Sequence, residues 1–224
     1  MCEKLSTSRE HVPPKCFFPD SSDSLGNKGF RKDLITVPSC DEHNLVKSKD
    51  DEYLCAVITT HFENNSVAQS HFDNKIMRGL MRKPARLVDL AHSTTPAIVR
   101  GAQSGAIRID RERFDSSLDY MARGIYFHHF HAKVEGKSHV ISYSLFDISS
   151  EKKHETNAAH ANWRIISDEG FAKLPRFGTN PDVFYYQVVA TLSDPRVAIR
   201  MVFYEGFVTD VYFPESKAII QNAA

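Results

Sequence analysis

The chain of 224 residues lacks any uninterrupted apolar run approaching the roughly 20 residues that cross a bilayer, and this excludes a helical membrane span as its organising element. It lacks net charge as well. With 28 Lys and Arg against 28 Asp and Glu, a protein that grips nucleic acid by bulk electrostatics is excluded, so any contact with phosphates must be local or assisted. Cysteine is scarce: Cys2, Cys16, Cys40 and Cys55 form no secretory framework. No basic segment followed by an apolar run opens the chain, and the expected setting is reducing and cytoplasmic. Internal repeats and low-complexity tracts are missing too.

What the chain has is material for a core. Hydrophobic residues make up 42%, with fifteen Phe and eight Tyr, which excludes wholesale disorder. The length suggests a small head and a larger body. Up to Cys40 the composition is Ser-, Pro-, Asp- and Gly-rich, and the apolar clusters Cys16-Phe17-Phe18 and Leu34-Ile35-Thr36-Val37 read as two short strands with a long connection. Leu45, Tyr53, Leu54, Val57, Ile58 and Phe62 recur at helical spacing over 44–62, and a second helix fits 66–81, ahead of Pro84. Residues 91–105 read as a weak linker, and Arg108-Ile109-Asp110 as a short strand before a helix that runs from Phe114 to Phe130 under an Asp or Ser cap. Beyond it the period changes to two. Strands are expected at 140–146, 183–192, 197–203 and 207–213, with turns at Asp194-Pro195 and Glu205-Gly206, giving an α+β body.

Three N-terminal pieces carry chemistry: Arg9-Glu10-His11-Val12-Pro13-Pro14-Lys15, then Lys32-Asp33-Leu34-Ile35-Thr36-Val37-Pro38-Ser39, then Cys40-Asp41-Glu42-His43-Asn44. They offer a carboxylate beside an imidazole at a strand end and an amide at the start of a helix. Phosphodiester hydrolysis needs that kit, a base for water and oxygen ligands for a metal ion.

Over about the first fifty-five residues these pieces resemble the HNH endonucleases, in particular a branch of bacterial HNH-type proteins, with a weaker match at Arg123-Gly124-Ile125-Tyr126-Phe127. The resemblance implies a ββα-metal head over 1–63, followed by a mixed helical and antiparallel-sheet body over 64–224 that positions substrate or binds a partner. It implies that His11 is the general base, that Glu10 and Asn44 hold one divalent cation, Mg²⁺ or Mn²⁺, and that Asp33 stands where the family's middle Asn orients the catalytic loop. The substrate implied is DNA and the biological role defence against foreign DNA, with a protein partner directing a chain too neutral to direct itself. Structural zinc, which many of these proteins hold with two Cys-x-x-Cys pairs, would rest here on Cys2, Cys40 and His43, because Leu5 and His43 stand where second thiolates would be. A non-catalytic binding module on the same fold is the alternative. A third reading makes the body a ligand sensor, which would require a concave pocket away from His11.

Other clusters read as structural. His128, His129 and His131 cannot all face one way and suit a helix end. Asp50 and Asp51 fit a solvated helix face, and His154 and His160 carry no assigned role. Lys75, Arg78, Arg82, Lys83 and Arg86 form a modest basic run available to phosphates. Phe184-Tyr185-Tyr186 and Phe203-Tyr204 read as sheet core rather than as a stacking platform for bases.

Overall fold

A computed structural model describes residues 6–23, 28–82, 93–99, 101–148, 150–191 and 194–215; for 41–48, 80, 99, 102, 191, 194 and 195 it describes the backbone only. Strand β1 (Ser8–His11) pairs antiparallel with β2 (Thr36–Ser39), placing Glu10 opposite Val37 and His11 opposite Thr36. Helix α1 (Asp41–Thr59) follows β2 directly, with Cys40 extended at its N-cap. The expected strand at Cys16–Phe18 is instead part of a 3₁₀ turn, Lys15–Phe17. Pro13 and Pro14 just before it carry no N–H for a ladder, and Phe17 and Phe18 serve as core plugs. The true partner of β2 is the polar Ser8–His11, which carries no apolar signal.

Residues 66–81 are helical as expected, as α2 (Ser66–His71), a π-helical turn (Phe72–Ile76) and α3 (Met77–Met81); Asn65 caps the start by accepting from the amides of Val67 and Ala68. The expected linker is a hairpin of β3 (Thr94–Val99) and β4 (Ala102–Ile107), whose largely exposed residues left no period to read. Helix α4 (Arg111–Phe130) is capped by Asp110, which accepts from the Arg113 amide at 3.1 Å, so 108–110 is a cap and not a strand. Its buried stripe, Phe114, Leu118, Met121, Ile125, has the spacing the sequence predicts.

The sheet runs in the order β5 (His139–Ser142), β9 (Phe207–Phe213), β8 (Asp194–Phe203), β7 (Phe184–Thr191), β6 (Phe177–Asn180), antiparallel throughout. One face sends Ile199, Met201, Phe203 and Val211 into a core shared with Val12, Phe17, Val37, Leu54, Ile58 and Leu118. Residues on both sides of position 63 therefore fill a single apolar cluster. The whole is α+β.

The opposite face carries α5 (Lys153–Phe171), a helix the sequence reading did not anticipate. Only Ser167 and Phe171 on it are buried, while Trp163, Ile165 and Ile166 are exposed, so no amphipathic stripe announces it. It docks through ions. Buried Arg200 donates to both carboxylate oxygens of Asp210 at 2.8 and 3.0 Å, to Asp168 at 2.6 Å and to Ser167 Oγ at 2.8 Å, above the ring of Phe171. Removing one partner of such a pair strands a buried charge, whereas replacing both by apolar groups is often neutral. Asp210→Ala should cost about 3–5 kcal/mol in urea unfolding, and Arg200→Met with Asp210→Leu should recover most of it; equal losses in both variants would rule this account out.

Head and sheet meet at Tyr204. This fully buried residue opens the β8–β9 turn at φ 49°, followed by Glu205 at φ 62°, and its hydroxyl lies 2.5 Å from the Phe17 carbonyl and 3.0 Å from His71 Nδ1. A carbonyl only accepts, so the phenol donates to Phe17 and Nδ1–H of His71 donates to the phenol oxygen. The His71 Nε2 is buried with no hydrogen-bond partner among the described residues, and the ring is neutral. Burial, then the cations Lys75 and Arg31, push its pKa down to about 4, against the opposing pull of Asp23 and the Phe17 carbonyl. A histidine depressed in the folded state supplies stability that is complete above its unfolded value and is lost as pH falls toward its folded one. Between pH 6.5 and 4 the protein should lose about 3 kcal/mol from this group alone, a loss that His71→Gln should largely abolish in unfolding curves taken across that range.

Candidate active site

His11 ends β1, and the chain is held there by main-chain pairing: the Val12 amide donates to the Ile35 carbonyl at 2.9 Å. The ring is half-buried, and its Nδ1 is buried with no hydrogen-bond partner among the described residues. Burial first, and then the nearby Lys15 cation, lower the His11 pKa below the ordinary value, against a hydrogen bond with the Ile35 backbone that raises it. At neutral pH the imidazole is therefore in the form that accepts a proton. An imidazole kept neutral with one ring nitrogen unengaged can do base chemistry.

Glu10, one residue earlier, is half-buried and accepts from Ser39 Oγ at 3.4 Å. Ser39 immediately precedes the N-cap of α1, which has no side-chain cap of its own. The carboxylate thus sits toward a helix start whose unpaired amides favour negative charge. Asn44 belongs to the opening turns of that helix; its side chain and that of His43 lie outside the described residues, as does Cys2. Cys40 is buried and in no disulfide. Among the described residues no three His, Cys, Asp or Glu side chains gather as a metal site. A set of one carboxylate and one amide is smaller than such a cluster and chemically suited to a hard cation.

Asp33 is the residue expected to orient the catalytic loop. It is exposed at φ 50°, and its main-chain carbonyl accepts from Thr179 Oγ1 at 3.2 Å, tying its loop to β6. Asp50, read as a solvated face, binds Arg113 at 2.5 Å and joins α1 to α4. The basic run is partly spoken for, with Lys75 donating to the Cys16 carbonyl and Arg78 paired with Asp23, while Lys83 and Arg86 lie outside the described residues. The histidines at the end of α4 have the structural role expected of them: His131 is its left-handed C-cap, and His129 packs on Phe177 and Tyr186.

The residues that seat His11 were the ones sequence reasoning missed. Buried Val12 presses on α4 at Gly124, where an added Cβ would lie 2.8 Å from Val12 Cγ2. Position 124 thus has to be glycine for the strand end to approach the helix. The signal was present in the Arg123–Phe127 match, without a reason attached.

No protein-family model, curated protein or solved structure matched the chain. Among the described residues no helix is long and apolar enough to cross a membrane. The case for function therefore rests on the residues themselves. Gly124→Ala should destabilise by about 1–3 kcal/mol through overpacking, and Val12→Ala in the same chain should restore much of that by removing the methyls it meets. Thermal unfolding of the two single variants and the double would show it; additive losses would mean that the contact is not the cause.

Proposed function

We propose that the chain is a metal-dependent endonuclease of the HNH type, with residues 1–63 as its ββα-metal head and 64–224 as the body that seats it. One observation carries the reading: His11 ends a strand pair that leads straight into a long helix, and its buried Nδ1 has no partner among the described residues. A buried nitrogen left unmatched costs free energy, and such exceptions are where function is sought.

In this reading the His11 imidazole takes the proton of a water molecule as that water's oxygen bonds to phosphorus and the bond to the leaving oxygen breaks. Glu10 and Asn44 would hold Mg²⁺ or Mn²⁺, which supplies neutralisation of charge on the phosphoryl and leaving oxygens. Val12 and Gly124 fix where the imidazole stands, and the Ile35 backbone holds its ring. Asp33 would orient the catalytic loop, which its main-chain carbonyl ties to Thr179. DNA is the substrate the resemblance supports, in a cytoplasmic setting and in defence against foreign DNA. A formal charge of zero favours delivery by a protein partner over capture by charge alone.

The test is cleavage of supercoiled plasmid with Mg²⁺ or Mn²⁺. Nicking or linearisation is expected, with His11→Ala lowering the rate roughly 10²–10⁴-fold, the usual worth of a positioned base, and Asn44→Ala abolishing metal-dependent turnover, both variants keeping the native circular dichroism. Absence of cleavage together with absence of Mn²⁺ binding would replace the nuclease with a non-catalytic binding module.

A further inference from the structure

At the far end of α1 from Glu10 and His11, a cleft of about 890 Å³ opens between that helix end, the β3–β4 hairpin, the β5–α5 connection and the start of α5. Small-molecule sites occupy roughly 300–1,000 Å³. Four large apolar side chains that the surface leaves exposed, Phe62, Ile98, Phe146 and Ile148, all line this one concavity, and Ile98 is 78% exposed. Scattered exposed apolar residues need no explanation, but convergence on a concave surface marks something meant to be covered. Deeper in, Phe207 and the His61 ring, edge to face at 5.6 Å, add aromatic walls.

The polar groups of the cleft decide what kind of molecule fits. Its ionic side chains already have partners in the protein: Arg111 with Asp115 at 2.6 Å, Glu63 with His61 at 3.6 Å, and Asp147 with the Ser150 amide at 3.0 Å. A charged ligand would have to break one of these. His160 differs, because it lines the cleft and its Nδ1 has no hydrogen-bond partner among the described residues. A ligand group that bonds this nitrogen recovers the cost of leaving it unmatched.

We propose that the cleft binds a small, uncharged aromatic molecule through its flat face, with one hydrogen-bonding group directed at His160. His11 and Glu10 do not line it, so this site is separate from the nuclease site and does not depend on that reading. A concave cleft with a buried polar anchor suits a small molecule better than a flat protein contact does.

The test is a fluorescence titration of the full chain with N-phenyl-1-naphthylamine, a neutral aromatic amine that brightens in apolar surroundings. One saturable site is expected. Ile98→Asp and Phe146→Asp, both at exposed positions, should each weaken it at least tenfold with unchanged circular dichroism, and His160→Phe should weaken it several-fold. Trp163→Asp, exposed on α5 outside the cleft, should leave it unchanged, as should His11→Ala. The proposal fails if binding is not saturable, or if Trp163→Asp lowers it as much as Ile98→Asp. It fails equally if size-exclusion chromatography shows self-association that vanishes in the two cleft variants, which would make the surface an interface between copies of the chain.

Discussion

The hydroxyl of Tyr204 is the point on which the rest of the structure depends. It joins residues 187 positions apart, donating to the Phe17 carbonyl while accepting from His71. A single hydrogen bond is worth about 1 kcal/mol net, but a phenol buried without partners costs about 1–3, so packing around Tyr204 is stable only with all three groups in place. The turn that presents it is equally constrained. Tyr204 and Glu205 hold left-handed backbone, and Gly206 lies so close to the Glu63 carbonyl that a Cβ would stand 2.3 Å from it. Asn65 completes the clasp: its amide donates to the Tyr204 carbonyl, and its side chain to the Asp182 carbonyl and Glu205. Through Phe17 this clasp reaches back to Pro13 and Pro14, and from them to His11.

How much of this was legible follows from where apolar burial is periodic. The helix ending at Phe130 buries one face, so its three-four spacing appears in the sequence, while the central strands, buried on both faces over 197–203 and 207–211, read as short runs dense in Val, Ile, Tyr and Phe. Strand β1 has no fully buried residue and is recognised only because β2 pairs with it. Helix α5 escaped for the opposite reason: its anchor is Asp168 and Ser167 bonding an arginine two strands into the sheet, a contact between residues 32 and 33 positions apart that no local pattern encodes. The turn residues themselves were foreseen at Glu205-Gly206, but nothing in the sequence tells that Tyr204 ahead of them would be the buried hub.

The candidate site divides the same way. Glu10 and His11 stood out because a carboxylate and an imidazole beside two prolines are chemically conspicuous, and their proximity to β2 and the start of α1 needs only a hairpin and a helix in series. What seats them is non-local. The Ile35 carbonyl is main chain and invisible to composition, and Gly124 matters through the methyls of a valine 112 positions away. The loop of Asp33 is held the same way, by its main-chain carbonyl accepting from Thr179, 146 positions on, a bond that no local pattern shows.

Helices α1 and α4 link the candidate site at His11 to the aromatic cleft, and they do so in opposite senses. The start of α1 lies beside Ser39 and the Glu10 carboxylate, while its end, at Val57 and Thr60, lines the aromatic cleft. In α4 it is the start, at Arg111, that lines the cleft, and Gly124, toward its end, that meets Val12. Two bonds fasten the start of α4 to the middle of α1, Arg113 to Asp50 at 2.5 Å and the Asp110 amide to the Tyr53 hydroxyl at 2.8 Å, with the guanidinium of Arg113 over the Tyr53 ring. A helix of nineteen residues is stiff over about 28 Å, so neither end shifts far without the other. The separation of the two sites is therefore one of distance and chemistry, polar and half-buried at His11, aromatic at the cleft, while mechanically both are built on the same two rods.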